Sequence, residues 1–333
     1  MRARIQRAWR CTRVAAWLCV VAISNCPVPA QAQGHPPAET PNRRARPFNP
    51  GQPDPFRVTK GDVEVAFVQA QRCTRCASAY QLTFDVADRA RERRRRFTIS
   101  DGPSQVDQIH ILANDRAAIL GRYQSNVDMV LIMDLNTGGT LDKWLCFDPA
   151  VSPGATFIAY RKVFPLHFTE GVSSVYLVYQ TGSSPAENRA KGTGLDDITN
   201  VGVPVYPAGS TNVSGDNVNV DEAVRHEMAS RGFFWGDDVR VAFADRVGAV
   251  NSIVVIDLTS GAESATARAT PLETSDIISS KGCREFRDRA LSQNAMHVAN
   301  IAFLDSAATR LRVQFGYSLP DCHGPATLDI TVR

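Results

Sequence analysis

The sequence predicts an all-β fold beyond Pro55, and three observations carry this prediction. Apolar residues alternate with polar ones in short runs, the runs recur as pairs in a fixed order, and several pairs end in a turn where Asp or Thr precedes Gly. Alternation with period two is typical of β-strands. A sheet of three or four strands repeated about every 40 to 50 residues is typical of a β-propeller, whose small sheets stack face to face around an axis. The sequence therefore predicts a β-propeller of antiparallel strands with about five visible blades, and six or seven also fit its length.

Three kinds of strand make up the predicted repeat. A short apolar strand stands second in each blade: VEVAFV (63–68), AAILG (117–121), TFIAY (156–160), VRVAFA (239–244) and RLRVQF (310–315). A strand that leads into a turn stands third: AYQLTFDV (79–86), DMVLIMDLNTG (128–138), SVYLVYQTG (174–182), SIVVIDLTSG (252–261) and ATLDITV (326–332). A weaker strand precedes several of these pairs: DQIHIL (107–112), FDPAVS (147–152), RGFFWG (231–236) and VANIAF (298–303).

The spacing of the repeat defines the predicted domain. The 333 residues, 44% of them hydrophobic, are too apolar for a disordered chain, and residues 56–333 form one predicted propeller domain. The step from TFIAY to VRVAFA is about twice the basic period. Either a degenerate blade lies inside Ser183–Ser230, or residues 183–230 are an insertion. Their Gly, Asn, Asp and Pro content favours an insertion. An irregular β-sandwich is the alternative fold.

The N-terminus has the pattern of an export signal. Residues 1–13 carry five arginines and no acid, Val14–Ile23 is an uninterrupted apolar run, and Ala30-Gln31-Ala32 has small residues where a signal peptidase reads. This order predicts a signal peptide over 1–32, cleaved between Ala32 and Gln33. The alternatives are an amphipathic anchor that stays attached, and lipoprotein processing at Cys26, where the preceding Asn25 is unfavourable.

Removal of the signal changes the charge and the expected surroundings of the protein. The whole chain has a formal net charge of +3, but without the five arginines the balance becomes 32 cations against 34 anions. Residues 33–55 are rich in proline and predict a flexible linker. No later stretch is apolar enough to span a membrane. The arginine-rich, lysine-poor composition is typical of bacterial proteins from GC-rich genomes, so we expect a periplasmic or secreted protein.

The blades resemble a known repeat. The pair FDPAVSPGATFIAYRK (147–162) and SVYLVYQTG (174–182) resembles a TolB-type propeller repeat, whose pattern is Ser-Pro-Asp-Gly, an apolar strand, and then a strand ending in Asp-Leu-x-Thr-Gly. RGFFWGDDVRVAFADR (231–246) with SIVVIDLTSG (252–261) matches in the same register. No copy keeps Ser-Pro-Asp-Gly intact. The resemblance implies a blade's packing and turns, and it implies no activity, because propellers host many unrelated functions.

The cysteines predict disulfides. Five remain after the signal: Cys73, Cys76, Cys146, Cys283 and Cys322. An oxidising compartment favours disulfides, and an odd number leaves at least one thiol unpaired. Cys73 and Cys76 lie in one loop, where a structural bridge is favoured over a redox pair, because a strand rather than a helix follows them. Cys283 and Cys322 are the second candidate pair. Cys146 is the predicted free thiol, buried and inert.

The remaining side chains show no catalytic or metal motif. The six histidines lack metal-ligand spacing, and no nucleophile elbow, P-loop or dinucleotide fingerprint is present. Asp196-Asp197 and Asp237-Asp238 are acidic pairs that a glycosidase could use, but they stand where turns favour Asp. The run Arg93, Arg94, Arg95 and Arg96 offers candidate anion contacts, and such charges also protect an edge strand from pairing.

These observations favour a binding protein. The sequence predicts a monomeric, exported propeller without cofactor or metal that recognises a protein, peptide or envelope component through loops at one face, most of all through 183–230. Nucleic acid is not an expected partner, because aromatic residues do not interleave with the arginines. A carbohydrate-binding or carbohydrate-active propeller is the alternative, followed by a thiol-disulfide protein that cycles Cys73 and Cys76.

Overall fold

The structure is a computed structural model, in which the chain splits into two units at Asn49 and Pro50. All described residues lie in the second unit: 56–73, 80–124, 127–164, 173–191, 201–208, 225–248, 250–277, 296–317 and 323–333. The predicted signal peptide, its cleavage site at Ala32 and Gln33, and the linker 33–55 therefore lie outside the described residues. In the part of the chain that the structure describes, no helix is long and apolar enough to cross a membrane.

The first two blades are antiparallel meanders that follow one another along the chain. Blade 1 contains β1 (Arg57–Lys60), β2 (Val63–Arg72), β3 (Tyr80–Asp88) and β4 (Arg93–Ser100). Blade 2 contains β5 (Gln105–Ile111), β6 (Arg116–Gln124), β7 (Val127–Asp134) and the first part of β8 (Thr140–Val151). The strand β8 pairs with β7 up to Cys146 and with β9 from Phe147 onward, so it is both the last strand of blade 2 and the first of blade 3.

The remaining blades repeat this order. Blade 3 continues with β9 (Phe157–Phe164), β10 (Ser173–Gln180) and, after helix α1 (Pro185–Lys191), β11 (Val203–Tyr206). In blade 4, β12 (His226–Met228) and β13 (Phe234–Trp235) pair with the same edge of β14 (Arg240–Val247), followed by β15 (Val250–Asp257) and β16 (Thr266–Leu272). After α2 (Thr274–Ile277), blade 5 contains β17 (Met296–Phe303), β18 (Arg310–Tyr317) and β19 (Thr327–Thr331).

The predicted strand order is confirmed. The five predicted second strands are β2, β6, β9, β14 and β18, and the five predicted third strands are β3, β7, β10, β15 and β19. In the described residues, 183–230 supplies α1 and β11 to blade 3 and β12 to blade 4, so these parts belong to the neighbouring blades. Among the described strands, none of blade 1 pairs with one of blade 5.

Four apolar cores lie between successive blades, and the alternation of side chains along each strand explains them. In β6, Ile119 packs into the core between blades 1 and 2, whereas its neighbour Leu120 packs into the core between blades 2 and 3. In β15, Val254 faces blade 3 and Val255 faces blade 5. Since successive side chains of a strand point to opposite faces, a central blade buries both faces against its neighbours. This face-to-face stacking is the architecture of a β-propeller.

Turns with an acidic side chain close the blades at one end. Asp134 Oδ1 accepts hydrogen bonds from the backbone N–H groups of Asn136 (2.7 Å) and Thr137 (2.9 Å). Asp257 Oδ1 accepts one from Thr259 N (2.9 Å). The glycine that ends each turn has a positive φ, which is 73° at Gly138 and 89° at Gly261. Residues with a side chain rarely adopt this conformation. These turns confirm the pattern that the sequence predicts.

Candidate functional site

The two ends of the propeller carry different connections. At one end, which we call the turn end, short segments such as 61–62, 135–139 and 304–309 join the strands. At the other, the loop end, second strands lead into third strands and each blade leads into the next. The described strands there flank 74–79, 165–172, 209–224, 278–295 and 318–322.

A buried carboxylate lies at the loop end between blades 3 and 4. Asp245 is 1% exposed and stands near the end of β14. The Tyr176 hydroxyl donates a hydrogen bond to Asp245 Oδ1 (2.7 Å), and His226 Nδ1 lies 2.6 Å from Asp245 Oδ2. The Tyr206 hydroxyl also interacts with Asp245. We call these four residues the Asp245 cluster.

Strand pairing positions each member of the Asp245 cluster. The antiparallel pair β12–β14 brings Asp245 opposite Met228, two residues along the strand from His226. The pair β10–β11 places Tyr176 directly opposite Tyr206. Below them the Phe243 ring stacks on the Tyr176 ring at a centroid distance of 4.1 Å. The cluster is therefore held from two blades over an aromatic core.

The electrostatics of the Asp245 cluster favour uncharged tyrosines. Burial, followed by the nearby Asp245 carboxylate, raises the pKa of Tyr176 well above its ordinary value and that of Tyr206 to about 12. Both hydroxyls consequently remain protonated donors at neutral pH. With a carboxylate at Nδ1, a neutral His226 carries its proton there and leaves the lone pair on Nε2. The side chain of His226 is 15% exposed and Tyr206 is also partly exposed, whereas Tyr176 and Asp245 are buried.

Two loop-end connections are tied together beside the Asp245 cluster. The Ser173 hydroxyl accepts a hydrogen bond from the backbone N–H of His226 (3.1 Å). Ser173 is the first described residue after 165–172, and His226 follows 209–224 by one described residue. The described residues that bound these two segments are thus joined by a hydrogen bond beside the Asp245 cluster.

A second polar group lies at the loop end between blades 2 and 3. Arg161 Nε donates a hydrogen bond to Asp148 Oδ2 (2.6 Å), and the Asp148 backbone N–H donates one to Asp128 Oδ2 (3.0 Å). Burial raises the pKa of Asp128 above its ordinary value, and the carboxylates of Asp148 and Asp107 add to the shift. Asp148 also has a positive φ of 52°, a conformation uncommon for a residue with a side chain.

The predicted cysteine sites are only partly described. Cys73 directly follows β2 and is disulfide-bonded, while Cys76, Cys283 and Cys322 lie outside the described residues. The partner of Cys73 therefore stays a prediction. Cys146 is a free thiol, 1% exposed, in the core between blades 2 and 3. Burial raises the pKa of Cys146 well above its ordinary value, which suppresses the reactive thiolate.

The predicted acidic pairs prove to be turn residues where the structure describes them. Asp237 Oδ1 accepts hydrogen bonds from the N–H groups of Val239 and Arg240 in its own turn. Asp238 accepts bonds from the Ser152 hydroxyl and the Gly154 N–H, and so fastens blade 4 to the Ser-Pro-Gly-Ala turn of blade 3. These contacts assign both residues to the structure of the turns. Asp196 and Asp197 lie outside the described residues.

The predicted arginine run lies on the outermost strand of blade 1. Alternation sends Arg94 and Arg96 to the outer face of the blade and Arg93 and Arg95 towards its edge with blade 2. Arg95 donates a hydrogen bond to the Asn136 carbonyl, and Arg96 binds Asp85 through two nitrogens (2.7 and 2.8 Å). The four residues are therefore not equivalent as candidate anion contacts.

The Asp245 cluster was not predicted. His226 lies on the short strand β12, and no motif in the sequence marks it. One signal could have indicated Asp245: it continues the apolar run VAFA of a strand predicted to be buried, where a carboxylate needs partners. Its partners Tyr176 and Tyr206 come from another blade, and single-sequence patterns do not show that proximity. In the described residues, no group of three or more His, Cys, Asp or Glu could hold a metal ion.

Comparisons with known proteins support no assignment to a family. No family model and no curated protein matches the chain. Among solved structures, the chain is similar to the propeller domain of the Trilobed protease from Pyrococcus furiosus, with 9% identity over 80% of this chain and 69% of that one and a TM-score of 0.33. Oligopeptidase B from Leishmania major is 10% identical over 79% of this chain and 37% of that one, with a TM-score of 0.37. The uncharacterized protein lmo1340 from Listeria monocytogenes EGD-e is 8% identical over 81% of this chain and 63% of that one, with a TM-score of 0.30.

These similarities are too low to carry an argument about fold or function. The chain also spans well under half the length of the oligopeptidase B chain. The propeller architecture rests instead on the sheet order and on the four cores between the blades of this protein.

Proposed function

We propose that this chain is an exported, non-catalytic β-propeller that binds a protein, peptide or envelope component through its loop end. One observation carries the proposal: the described strand ends that flank the longer segments of the chain lie at that end, beside the Asp245 cluster. Binding residues concentrate on loops that a rigid scaffold positions. A TolB-type repeat and a periplasmic or secreted location belong to the same proposal and rest on the sequence patterns.

Exposed apolar side chains at the loop end support this choice of face. Val250, the first residue of β15, is 51% exposed, and Val68 is 43% exposed in the half of β2 that leads to 74–79. Leu304, at the turn end, is 38% exposed and gives a matched control position. A single exposed apolar residue is ordinary, so these positions serve as probes of the face.

A photo-crosslinking amino acid at position 250, compared with the same substitution at 304, tests the binding face. The protein would be exposed to envelope extract, illuminated, and its adducts identified by mass spectrometry. We expect one recurrent adduct from position 250 and none from 304, because a partner at the loop end covers only the former. Equal adducts from both positions, or none from 250, would overturn the proposal.

A deletion sharpens the same test. Replacing 209–224 with a short Gly-Ser linker keeps β11, β12 and the Asp245 cluster, so we expect a folded protein that no longer forms the adduct at 250. Deleting 185–219 instead removes Asn188 and Val201, both fully buried, and should unfold blade 3. If the first variant is folded and forms the adduct normally, 209–224 has no part in recognition.

The carbohydrate-active alternative has a specific observation in its favour. Asp128 and Asp148 lie side by side, and burial raises the pKa of Asp128, as expected of a general acid beside a second carboxylate. Both are engaged within the protein, Asp148 by Arg161 and Asp128 by the Asp148 N–H. Hydrolysis of nitrophenyl glycosides by the purified protein that is lost in Asp128→Asn would support this alternative, and the lack of any turnover would end it.

A further inference from the structure

The outer face of blade 1 is polar, unlike the faces buried between blades. Alternation along β2 and β3 buries Val65 and Phe84 against blade 2 and turns Ala66 and Ala87 outward. In the register of the sheet, Ala66 stands between Arg57 and Asp85. Ala87 stands between Glu64 and Arg94. Short side chains are therefore surrounded by long charged ones.

This arrangement forms a depression of about 1000 Å³ on the outer face, lined by blade 1 alone. Ala66 and Ala87 lie at its floor. Its lining contains six arginines and four carboxylates, so cations exceed anions by two. A flat floor with guanidinium groups around it leaves room for a ligand larger than a single ion.

The carboxylates do not occupy all of these arginines. Glu64 pairs with both Arg57 (3.2 Å) and Arg89 (3.6 Å), and Asp85 pairs with Arg96 (2.7 Å). These pairs are largely exposed, and exposed ion pairs contribute little, so their arginines can turn to a ligand at small cost. Arg93 and Arg94 are exposed, and neither forms an ion pair with another described residue.

We propose that this depression, which we call the arginine depression, binds phosphate groups. Its principal contacts are Arg94, on the outer face, and Arg93, which lines the depression from the start of β4 although alternation turns it towards blade 2. The planar guanidinium matches two phosphate oxygens at once, and a phosphate monoester carries the charge that balances an excess of two cations. The carriers of such groups are soluble phosphate compounds and phospholipid headgroups, which share this chemistry. The site lies on a sheet face and is independent of the loop end.

The full-length protein would be titrated with inorganic tripolyphosphate by calorimetry, and in a second arm mixed with phosphatidylcholine vesicles with and without phosphatidylglycerol. The test variant is Arg93→Gln with Arg94→Gln. The control is Arg310→Gln with Arg312→Gln, two exposed arginines on β18, the middle strand of blade 5, which removes the same charge. We expect the test variant to lose at least about tenfold in affinity for the probe that binds, and the control to lose less than about twofold.

The possible results either identify the source of the phosphate or overturn the proposal. Binding to tripolyphosphate that requires Arg93 and Arg94 indicates a soluble phosphate ligand, and binding only to phosphatidylglycerol vesicles indicates a headgroup. Loss of affinity by the control variant equal to that of the test variant would show a general charge effect and overturn the proposal. Binding to neither probe would also overturn it, and would leave edge protection as the role of the arginines.

Discussion

Asp245 connects polar groups of two blades in a place from which water is almost excluded. An unpartnered carboxylate there would be costly, but it has Tyr176, Tyr206 and His226 around it. The rings of Tyr176 and Tyr206 also pack on Phe243, so the two tyrosines supply both hydrogen bonds and apolar contact. The Asp245 cluster therefore connects the polar side chains of the loop end with the aromatic core beneath them.

The hydrogen bond from Tyr176 can be removed without changing the packing. We expect Tyr176→Phe to lower the free energy of unfolding by about 1.5–3 kcal/mol, because it removes a donor from a buried charged acceptor. Urea denaturation would measure this change. Tyr123→Phe is the control, since no hydrogen bond of the Tyr123 hydroxyl is found in the described part of the chain. An effect of Tyr176→Phe no larger than that of Tyr123→Phe would contradict the importance of the bond.

The two described cysteines should differ in how they resist alkylation. In the native protein we expect neither Cys73 nor Cys146 to react with iodoacetamide, the first because it is disulfide-bonded and the second because it is buried. In denaturant without reductant, Cys146 should react and Cys73 should not. Peptide mass spectrometry distinguishes the two states. Labelling of Cys73 in the unreduced, denatured protein would contradict a stable bridge, and partial labelling that changes with redox buffer would favour the thiol-disulfide alternative.

At the scale of the element, side chains of turns hold one blade to the next. Asp238 of blade 4 accepts hydrogen bonds from Ser152, Gly154 and Thr156 of blade 3. Arg268 of blade 4 donates to the Ala308 carbonyl of blade 5 (3.2 Å). Such bonds fix the rotation between sheets, which apolar cores alone leave less defined.

Asp238 should make the stability of the protein depend on pH. Burial opposes ionisation of Asp238, but the hydrogen bonds from Ser152, Thr156 and Gly154 outweigh it, so its pKa lies below the ordinary value of 3.8. An acid whose pKa is lowered by folding stabilises the protein above its unfolded pKa, and this stabilisation is lost as pH falls through the folded pKa.

The variant Asp238→Asn tests this dependence. We expect it to be about 1–3 kcal/mol less stable at neutral pH, with a difference from the native protein that shrinks as pH falls below about 3.8. Thermal unfolding between pH 7 and pH 2 would measure both. The exposed Asp276→Asn is the control and should differ little at any pH. A constant difference across the whole range would mean that ionisation of Asp238 does not contribute.

At the scale of the whole molecule, the five blades form a series whose first and last faces are polar. Blade 1 presents the arginine depression, and blade 5 presents a cross-strand pair of Arg312 with Asp329 at 2.7 Å. The central blades bury both faces, so their strands are apolar throughout, whereas the terminal strands alternate. This difference in sequence pattern follows from position in the stack.

The predicted export of the protein can also be tested on the whole molecule. We expect the secreted or periplasmic form to begin at Gln33, because small residues at positions 30 and 32 follow the apolar run. N-terminal sequencing of protein recovered from the cell envelope and medium of an expressing bacterium would measure this. Replacing Ala32 with a bulky residue should cause the precursor to accumulate. An envelope-bound form that begins at a lipidated Cys26 would instead establish the lipoprotein alternative.

The sequence by itself determined the described strands and their order and indicated about five blades, because period two and recurring turns are local properties of the chain. The turns of Asp134 and Asp257 were predictable for the same reason, since one short segment contains both the side chain and the N–H groups that it binds. The blade-spanning contacts were not predictable. Tyr176 and Asp245, or Ser152 and Asp238, stand far apart in the chain and meet only when sheets stack. The tertiary structure alone decided which arginines of the run face the outer depression, because that depends on the register of β4 and on which blade face has no neighbour.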